Sequence, residues 1–345
     1  MLRQTFRYML LFCFPLMMTI EGMSQGIHFS YIEFAPQFVN PGLIGGFKGT
    51  YRGTALYRDQ WNRSNQSGFL AGYKTIEVGL DIPVINGFRR QDWIGAGLSF
   101  NSDTRGSIAL KSSLSRLGVS YHLGLDKKQN SIVTIGFQMM NESKTIKTPD
   151  RFKSPESIKS GSDPNLQQIL NQLQDNGTSL RDFSLGVAFT SRTKTNVLQA
   201  GLSMQSLFTP RSAFKSSFDQ PTKFIGFLTL NNQISKTLSI EPAALFQLSG
   251  FGNEFMANAK VGYKFKKDSN DKIKAGIGFR TGTFSSIFLI GGEIKGINVG
   301  LSYDLPLSGF ANAPGVQSTF ELGATYIGFL KKTPKTKPII LCPRL

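Results

Sequence analysis

The sequence predicts an all-β protein, a transmembrane antiparallel β-barrel of about fourteen strands in an outer membrane. Three observations predict this fold class: polar and apolar side chains alternate every second residue, the alternation recurs along the chain, and the composition suits a barrel wall. The chain has 345 residues with 36 glycines, 29 phenylalanines and a mean hydropathy of −0.12. That mean hydropathy is too polar for a helical membrane protein. In a barrel about every second residue faces the lumen and is polar, which lowers the mean hydropathy of the chain. A soluble β-sandwich shares the composition, but roughly 250 residues of strand exceed one sandwich.

Residues 1–24 are predicted to form an export signal. Two arginines precede the apolar run Tyr8 to Ile20, and the small residues Gly22 and Ser24 stand where a signal peptidase cleaves. The run is too short to cross a membrane as a helix, so the mature chain is expected to begin near Gln25.

Residues 25–47 are predicted to form an N-terminal plug, a packed segment that seals one mouth of the barrel. Within it, Ala35 to Gly46 contains two prolines and a Gly-Gly pair, which exclude a long regular element. The aromatic residues expected to be buried in this plug are Phe29, Tyr31, Phe34 and Phe38.

Residues 48–330 are predicted to form the barrel itself. In the first strand, one side carries Lys48, Thr50, Arg52 and Thr54, and the other carries Gly49, Tyr51, Gly53, Ala55 and Tyr57. The predicted strands are 48–58, 68–80, 93–101, 108–123, 132–140, 183–190, 197–206, 223–230, 238–248, 254–265, 273–280, 285–292, 297–305 and 319–329.

The lengths of the connections predict an orientation. With a periplasmic N-terminus, the long insertion 142–181 follows the fifth strand and is extracellular, as long loops of outer-membrane barrels are. Both termini are then periplasmic. Most of the formal net charge of +17 falls on the predicted periplasmic turns and on a basic tail, 331–345. An exported protein is not expected to bind nucleic acid, so this charge could hold lipid headgroups or an acidic partner, with ordinary solvated turns as the alternative.

The long loop carries a helix signal. After Asp163 and Pro164, apolar residues recur at helical spacing, namely Leu166, Ile169, Leu170 and Leu173. A short helix packed on the barrel mouth is favoured over a recognition helix that binds a partner.

Residue types that carry chemistry are scarce. The two histidines, His28 and His122, are far apart in sequence, so no metal, no cofactor and no catalytic group is predicted. His122 shares the side of its strand with Ser120 and is expected in the lumen or at its rim. Removal of the signal leaves Cys342 as the single cysteine, so no internal disulfide is predicted. The protein is therefore predicted not to be an enzyme.

Several stretches resemble the PorP/SprF family of outer-membrane proteins of type IX secretion and gliding machinery of Bacteroidota. Phe38-Val39-Asn40-Pro41-Gly42-Leu43-Ile44-Gly45 is similar to the family's Asn-Pro-Ala-Tyr-Ala-Gly segment, with Gly42-Leu43 in place of Ala-Tyr. The stretch 55–61 follows it. The tail, with Lys331-Lys332 and then Cys342-Pro343-Arg344-Leu345, resembles the family's basic tail, with Leu345 where Phe is common.

The resemblance implies a non-enzymatic barrel that anchors a cell-surface adhesin or assists its export. Its implied partners are outer-membrane lipid, periplasmic ring components, an OmpA-like peptidoglycan-binding protein, and the adhesin or its C-terminal domain. Partner-binding residues are expected in the tail (Lys331, Lys332, Lys335, Lys337, Cys342, Pro343 and Arg344) and in the loop (Leu166, Ile169, Leu170 and Leu173). A porin or uptake channel is the alternative that the polar lumen faces permit, and an enzyme is a distant third.

Overall fold

The computed structural model describes residues 28–60, 72–86, 88–105, 110–146, 178–208, 222–250, 252–265, 271–307 and 318–330. These residues form fourteen antiparallel strands in a closed barrel, which confirms the predicted fold class. The strands are β1 Tyr51–Gln60, β2 Tyr73–Asn86, β3 Trp93–Arg105, β4 Leu110–Gly124, β5 Ser131–Ile146, β6 Thr178–Arg192, β7 Asn196–Gln205, β8 Lys223–Gln233, β9 Leu238–Ser249, β10 Gly252–Lys264, β11 Lys272–Arg280, β12 Ser285–Ile294, β13 Ile297–Pro306 and β14 Thr319–Gly328. Each strand pairs with its neighbours in sequence, and β1 closes the barrel on β14, from Tyr51 opposite Gly328 to Gln60 opposite Thr319. No helix within these residues is both long and apolar enough to cross a membrane.

The two ends of the barrel differ in the length of their connections. We call the end at which β1 begins the turn end and the opposite one the loop end. The turn-end connections are 87–92, 125–130, 193–195, 234–237, 265–271 and 295–296. The loop-end connections are 61–72, 106–109, 147–177, 206–222, 250–251, 281–284 and 307–318. The longest connections therefore share one end, as the sequence predicts.

Some strands extend further than the sequence pattern predicts. The flanks of the predicted 142–181 loop belong to β5 and β6, where Glu142 lies opposite Leu180 and Lys144 lies opposite Thr178. Side chains on both faces of this extension are largely polar, so no hydrophobic period marks it in the sequence.

The outward face of the barrel is an apolar band. Its side chains are exposed in the isolated chain, from 36% for Phe279 to 72% for Leu202. Lipid covers such a band in a membrane, which explains why these residues can be apolar.

The inward face is not uniformly polar, and in this respect the structure differs from the polar lumen faces that the sequence pattern predicts. Apolar side chains also point inward, and several are at most 5% exposed, among them Leu56, Ile225, Phe227, Leu245, Met256, Ile287 and Leu289. They belong to one hydrophobic cluster with apolar residues that precede the barrel, including Phe29, Phe34, Phe38 and Val39. Part of the lumen is thus a packed core rather than a water channel.

Residues 28–46 form this inner part, which we call the lumen segment. It contains two 3₁₀ turns, Ile32–Phe34 and Pro41–Leu43, and one helical turn, α1 (Pro36–Val39). A proline begins α1 and another begins the second 3₁₀ turn, and the Asn40 side chain accepts a hydrogen bond from the Gly42 amide over 2.7 Å. The aromatic residues predicted to be buried here are at most 6% exposed.

Candidate functional site

The lumen segment passes through the barrel lengthwise. Ser30 contacts residues near the loop-end termini of β11, β13 and β14, whereas Glu33 contacts β10 and β11 closer to the turn end. Gly45 and Gly46 then contact residues at the turn end, where the chain enters β1. Residues 25–47 are predicted to seal one mouth of the barrel, and residues 28–46 of this plug lie within the lumen.

Ser30 lies at the centre of a buried charged cluster. Its amide donates to the Glu321 carboxylate over 2.9 Å and its hydroxyl donates to the Asp304 carboxylate over 3.0 Å. The Arg280 guanidinium donates to the Ser30 hydroxyl over 2.8 Å and to Glu254 over 2.7 Å. We define the Ser30 cluster as Ser30, Arg58, Glu254, Arg280, Asp304 and Glu321, in which Arg58 donates to Glu321 over 3.1 Å.

Burial makes the pairing within the Ser30 cluster obligatory. Its members are at most 6% exposed, and Ser30, Arg280 and Glu321 are fully enclosed. Charges so far from water are stable only when paired and hydrogen-bonded, and removal of one partner typically costs about 3–5 kcal/mol. The cluster therefore fixes the segment to β1, β10, β11, β13 and β14.

Glu33 forms a second cluster closer to the turn end. Its carboxylate lies 2.5 Å from the Lys260 ammonium and 3.8 Å from that of Lys274. Lys274 and Lys272 in turn reach Glu241 over 3.1 and 2.7 Å. The lysines on β10 and β11 thus share carboxylates from the lumen segment and from β9, and we call this group the Glu33 cluster.

Side chains of the lumen segment also bind the strand backbone directly. The Gln37 amide donates to the carbonyls of Leu80 and Leu98, both over 3.2 Å. The Asn40 amide donates to the carbonyls of Val187 and Leu202 over 3.1 and 3.0 Å. In both cases the two carbonyls belong to residues directly opposite each other on neighbouring strands. The Tyr31 hydroxyl follows the same pattern at the opposite pair Ile290 and Leu301, over 2.8 and 3.4 Å.

Inward-facing glycines make this close approach possible. A Cβ at Gly186 would overlap the Asn40 side chain, and a Cβ at Gly323 would overlap the Phe34 ring. The same holds where the segment packs on other inward glycines, namely Gly95, Gly97, Gly118, Gly136, Gly201 and Gly300. Because these glycines have no Cβ, the lumen segment can pack directly against the backbone of the inner wall.

The segment leaves the barrel through a polar exit at the turn end. Arg52 binds Asp81 over 2.6 Å and the Leu43 carbonyl over 2.8 Å, and Asp81 accepts the Gly45 amide over 2.7 Å. The Trp93 indole donates to the Gly45 carbonyl over 2.9 Å. The Leu43 carbonyl and both backbone groups of Gly45 are thus hydrogen-bonded to strand side chains, as buried polar groups require.

The two histidines lie in separate parts of the lumen. His28 lies 3.4 Å from Glu254 at the edge of the Ser30 cluster. His122 stacks on Trp93 with 4.5 Å between ring centres, and its ring nitrogens contact the Ile44 carbonyl and the Thr134 hydroxyl. His122 thus faces the lumen, as predicted from its strand. No group of three or more His, Cys, Asp or Glu side chains suited to a metal ion occurs within the described ranges.

The partner-binding residues predicted from the sequence all lie outside the described residues. They are Lys331, Lys332, Lys335, Lys337, Cys342, Pro343 and Arg344 of the tail and Leu166, Ile169, Leu170 and Leu173 of the loop. The role of these residues stays a prediction.

The basic turn end differs in detail from its predicted form. Lys127, Lys128, Lys194 and Lys236 are exposed on the turns. Lys272 follows the turn 265–271, but it points into the lumen, where it is 8% exposed and belongs to the Glu33 cluster. Arg192 precedes the turn 193–195 and donates to the Gly46 carbonyl over 3.2 Å. These two basic residues next to the turns therefore do not add freely exposed positive charge to this end.

Two turn carboxylates hold the turn end together. Asp92 accepts from the Arg89 guanidinium, and this hydrogen bond, helped by the Tyr121 hydroxyl, lowers the pKa of the Asp92 carboxyl. Backbone amides of Ser131 and Asn130 lower the pKa of Asp126 in the same way. Both carboxylates are thus ionised and hydrogen-bonded in the folded protein at neutral pH.

The Ser30 and Glu33 clusters were not predicted from the sequence. Arg58, Arg280 and Glu321 stand at inward positions of predicted strands, where a wet lumen would accept them without a partner. The predicted plug was the signal that could have indicated these contacts. A segment rich in aromatic residues must be buried, so the inner wall needs apolar side chains and glycines that pack against it.

Comparison with known proteins agrees with this architecture. A family model described as type IX secretion system membrane protein PorP/SprF matches residues 23–326. No curated protein sequence matches the chain.

Similar solved structures are bacterial membrane barrels. The toluene transporter TbuX of Ralstonia pickettii is 11% identical with a TM-score of 0.50, and the alignment covers 89% of this chain and 97% of TbuX. The toluene transporter TodX of Pseudomonas putida is 12% identical with a TM-score of 0.46, covering 88% and 95%. CdiB of Escherichia coli is 9% identical with a TM-score of 0.43, covering 81% and 63%. At such identity the likeness to TbuX shows a shared barrel fold and nothing of function.

Proposed function

The chain belongs to the PorP/SprF family of type IX secretion system membrane proteins, and we propose that it is a closed outer-membrane adaptor of that machinery. In this role it is not an enzyme. It anchors a cell-surface adhesin or assists its export on one side of the membrane and docks to periplasmic secretion components on the other.

The filled lumen is the observation that carries this proposal. A channel needs a continuous water path, whereas here the segment 28–46 crosses the interior and is fixed by the Ser30 and Glu33 clusters. Its apolar residues also join the inward apolar side chains in one core. A barrel closed in this way offers its two ends as binding surfaces rather than its interior as a passage.

The lengths of the connections at the two ends support the proposed orientation. Outer-membrane barrels place short turns in the periplasm and long loops outside. The turn end is then periplasmic, and its exposed lysines, with the basic tail 331–345, face acidic surfaces of the periplasmic machinery. The loop between β5 and β6, with the predicted helix around Leu166 to Leu173, faces the secreted protein.

Deletion of residues 331–345 tests the periplasmic contact. The barrel should still insert and migrate as a folded, heat-modifiable band, while export or surface attachment of its cognate protein stops. A second variant replaces Lys331, Lys332, Lys335 and Lys337 by Ala. It distinguishes the contribution of the lysine charges to the contact from that of the Cys-Pro-Arg ending. Normal export by the truncated strain would reject the contact.

Excision of the loop insertion tests the extracellular contact. Replacing 147–177 by a short Gly-Ser linker preserves every described residue of β5 and β6 and should abolish co-purification of the surface protein. Shortening 206–222, another long loop-end connection, is the matched control. Unchanged co-purification in the 147–177 variant would count against this part of the proposal.

Planar-bilayer recording distinguishes the adaptor from a channel. The intact protein should show no steady conductance, and a variant that lacks residues 28–46 should show one, because its polar inward faces would then meet water. A steady open pore in the intact protein would favour the channel.

A further inference from the structure

The lipid-facing wall contains an apolar groove. It lies across β5 to β10 and has a volume of about 670 Å³. Small outward residues form its floor, namely Ala200, Gly226 and Ala244, and larger ones flank it, namely Phe189, Leu202, Leu228 and Phe246. The described residues that line it are all apolar or glycine.

Three neighbouring basic turns lie beneath the groove at the turn end. Lys127 and Lys128 are exposed on the β4–β5 turn, Lys194 on the β6–β7 turn and Lys236 on the β8–β9 turn. The turns adjoin one another, because the Arg192 amide donates to the Asn130 carbonyl over 2.6 Å and the Gln233 amide donates to the Thr195 carbonyl over 2.8 Å. Lys194 and Lys236 make no ion pair with any other residue that the structure describes. A positive patch thus continues the groove at the membrane surface.

The distance between groove and turns fits one lipid chain. Ala200 is four residues beyond Asn196, where β7 begins. At about 3.3 Å per residue and a strand tilt of about 40°, the groove lies roughly 10–15 Å above the turns, near the middle of an apolar band about 25 Å tall. An acyl chain whose headgroup rests on the turns reaches this depth.

We propose that the groove and these turns bind an anionic glycerophospholipid, with one acyl chain along Gly226 and the phosphate against Lys194 and Lys236. Acyl chains surround the whole wall in a bilayer, so the hydrophobic effect does not select this position. The lipid is held at this position because its acyl chain packs against the small residues and its headgroup is attracted to the lysines. The proposal rests on the proposed function only in assigning the turn end to the periplasmic leaflet.

Native mass spectrometry of the purified full chain in detergent tests this site. The delipidated protein is titrated with dioleoyl-phosphatidylglycerol and, separately, with dioleoyl-phosphatidylcholine. The anionic lipid should bind more tightly, and the double variant Lys194→Ala/Lys236→Ala should weaken it about fivefold for each lysine removed, with little change for phosphatidylcholine. Gly226→Leu, which fills the groove floor, should weaken both lipids.

Matched controls lie elsewhere on the same barrel. Lys295→Ala removes an exposed lysine of the β12–β13 turn, and Gly53→Leu adds an outward side chain on β1, where a Cβ would meet no atom within 4 Å. Both controls should bind phosphatidylglycerol as the parent does. Heat-modifiable migration shows that each variant is folded.

Three results would overturn the proposal. Unchanged phosphatidylglycerol binding in the double lysine variant would show that these lysines do not bind the headgroup. Unchanged binding in Gly226→Leu would show that the lipid is held by surface charge and not by the groove. A dimer that Gly226→Leu dissociates would assign the groove to a second copy of the chain. None of these measurements depends on secretion, so the proposed function and the lipid site can fail separately.

Discussion

Phe34 packs directly on Gly323 of β14, so enlarging that glycine should displace the lumen segment. A Cβ at this position would overlap the ring, and we expect Gly323→Leu to destabilise the protein by about 1–3 kcal/mol through overpacking. Phe34 is fully buried, so Phe34→Ala should lose about 3–5 kcal/mol through the cavity it leaves. In the double variant the leucine side chain enters the vacated space. The combined loss should therefore be smaller than the sum of the single losses by at least about 1 kcal/mol.

Urea unfolding of the protein refolded into detergent micelles measures these free energies. Trp93, which binds the Gly45 carbonyl, reports the transition by its fluorescence. Gly53→Leu on the outward face of β1 is the control for the added side chain and should leave the free energy of unfolding within about 0.5 kcal/mol of the parent value. Strict additivity of Phe34→Ala and Gly323→Leu would refute the contact, because independent sites do not compensate.

Further predictions concern the polar contacts of the lumen segment. Arg280→Met removes the fully buried guanidinium that pairs with Glu254 and Asp304 and should cost about 3–5 kcal/mol in urea unfolding; Arg280→Lys keeps the charge and should cost less, and equal losses would contradict the role of charge. Glu33→Gln should raise hydrogen–deuterium exchange at residues 31–34 while residues 43–46 stay protected, and exchange rising equally along the segment would speak against a local anchor. Asn40→Ala removes the bonds to the Val187 and Leu202 carbonyls and should cost about 1–3 kcal/mol; a loss below about 0.5 kcal/mol would show that these bonds are not needed.

The barrel wall could be predicted from the sequence because its signal, the alternation of polar and apolar residues, lies within each strand. A strand with lipid on one side repeats every second residue, and in β13 the apolar Ile297, Val299, Leu301 and Tyr303 face outward as their spacing predicts. The predicted positions of strand ends were less accurate where both faces are polar, as in the Glu142 to Ile146 part of β5. There the hydrogen bonds continue although the hydrophobic period has stopped.

The lumen clusters could not be predicted, because their partners are distant in sequence. Ser30 and Asp304 are 274 positions apart, and Ser30 and Glu321 are 291 apart. Alternation places Asp304 and Glu321 on the inward face, but it cannot say that a serine near the N-terminus meets them. Strands with apolar residues on both faces gave a partial signal, since Ile225 and Phe227 of β8 face inward between the outward Phe224 and Leu228.

The Ser30 cluster crosses the seam where the first and last strands meet, since Arg58 belongs to β1 and Glu321 to β14. Phe34 and Ser30 have no exposed surface, and a closed barrel would have to admit the whole segment through one end with its charged groups unpaired on the way. We therefore expect the lumen segment to take its place before β1 pairs with β14. The barrel would then form around its own N-terminal segment, and opening of the β1–β14 pairing would be the easiest way to release it.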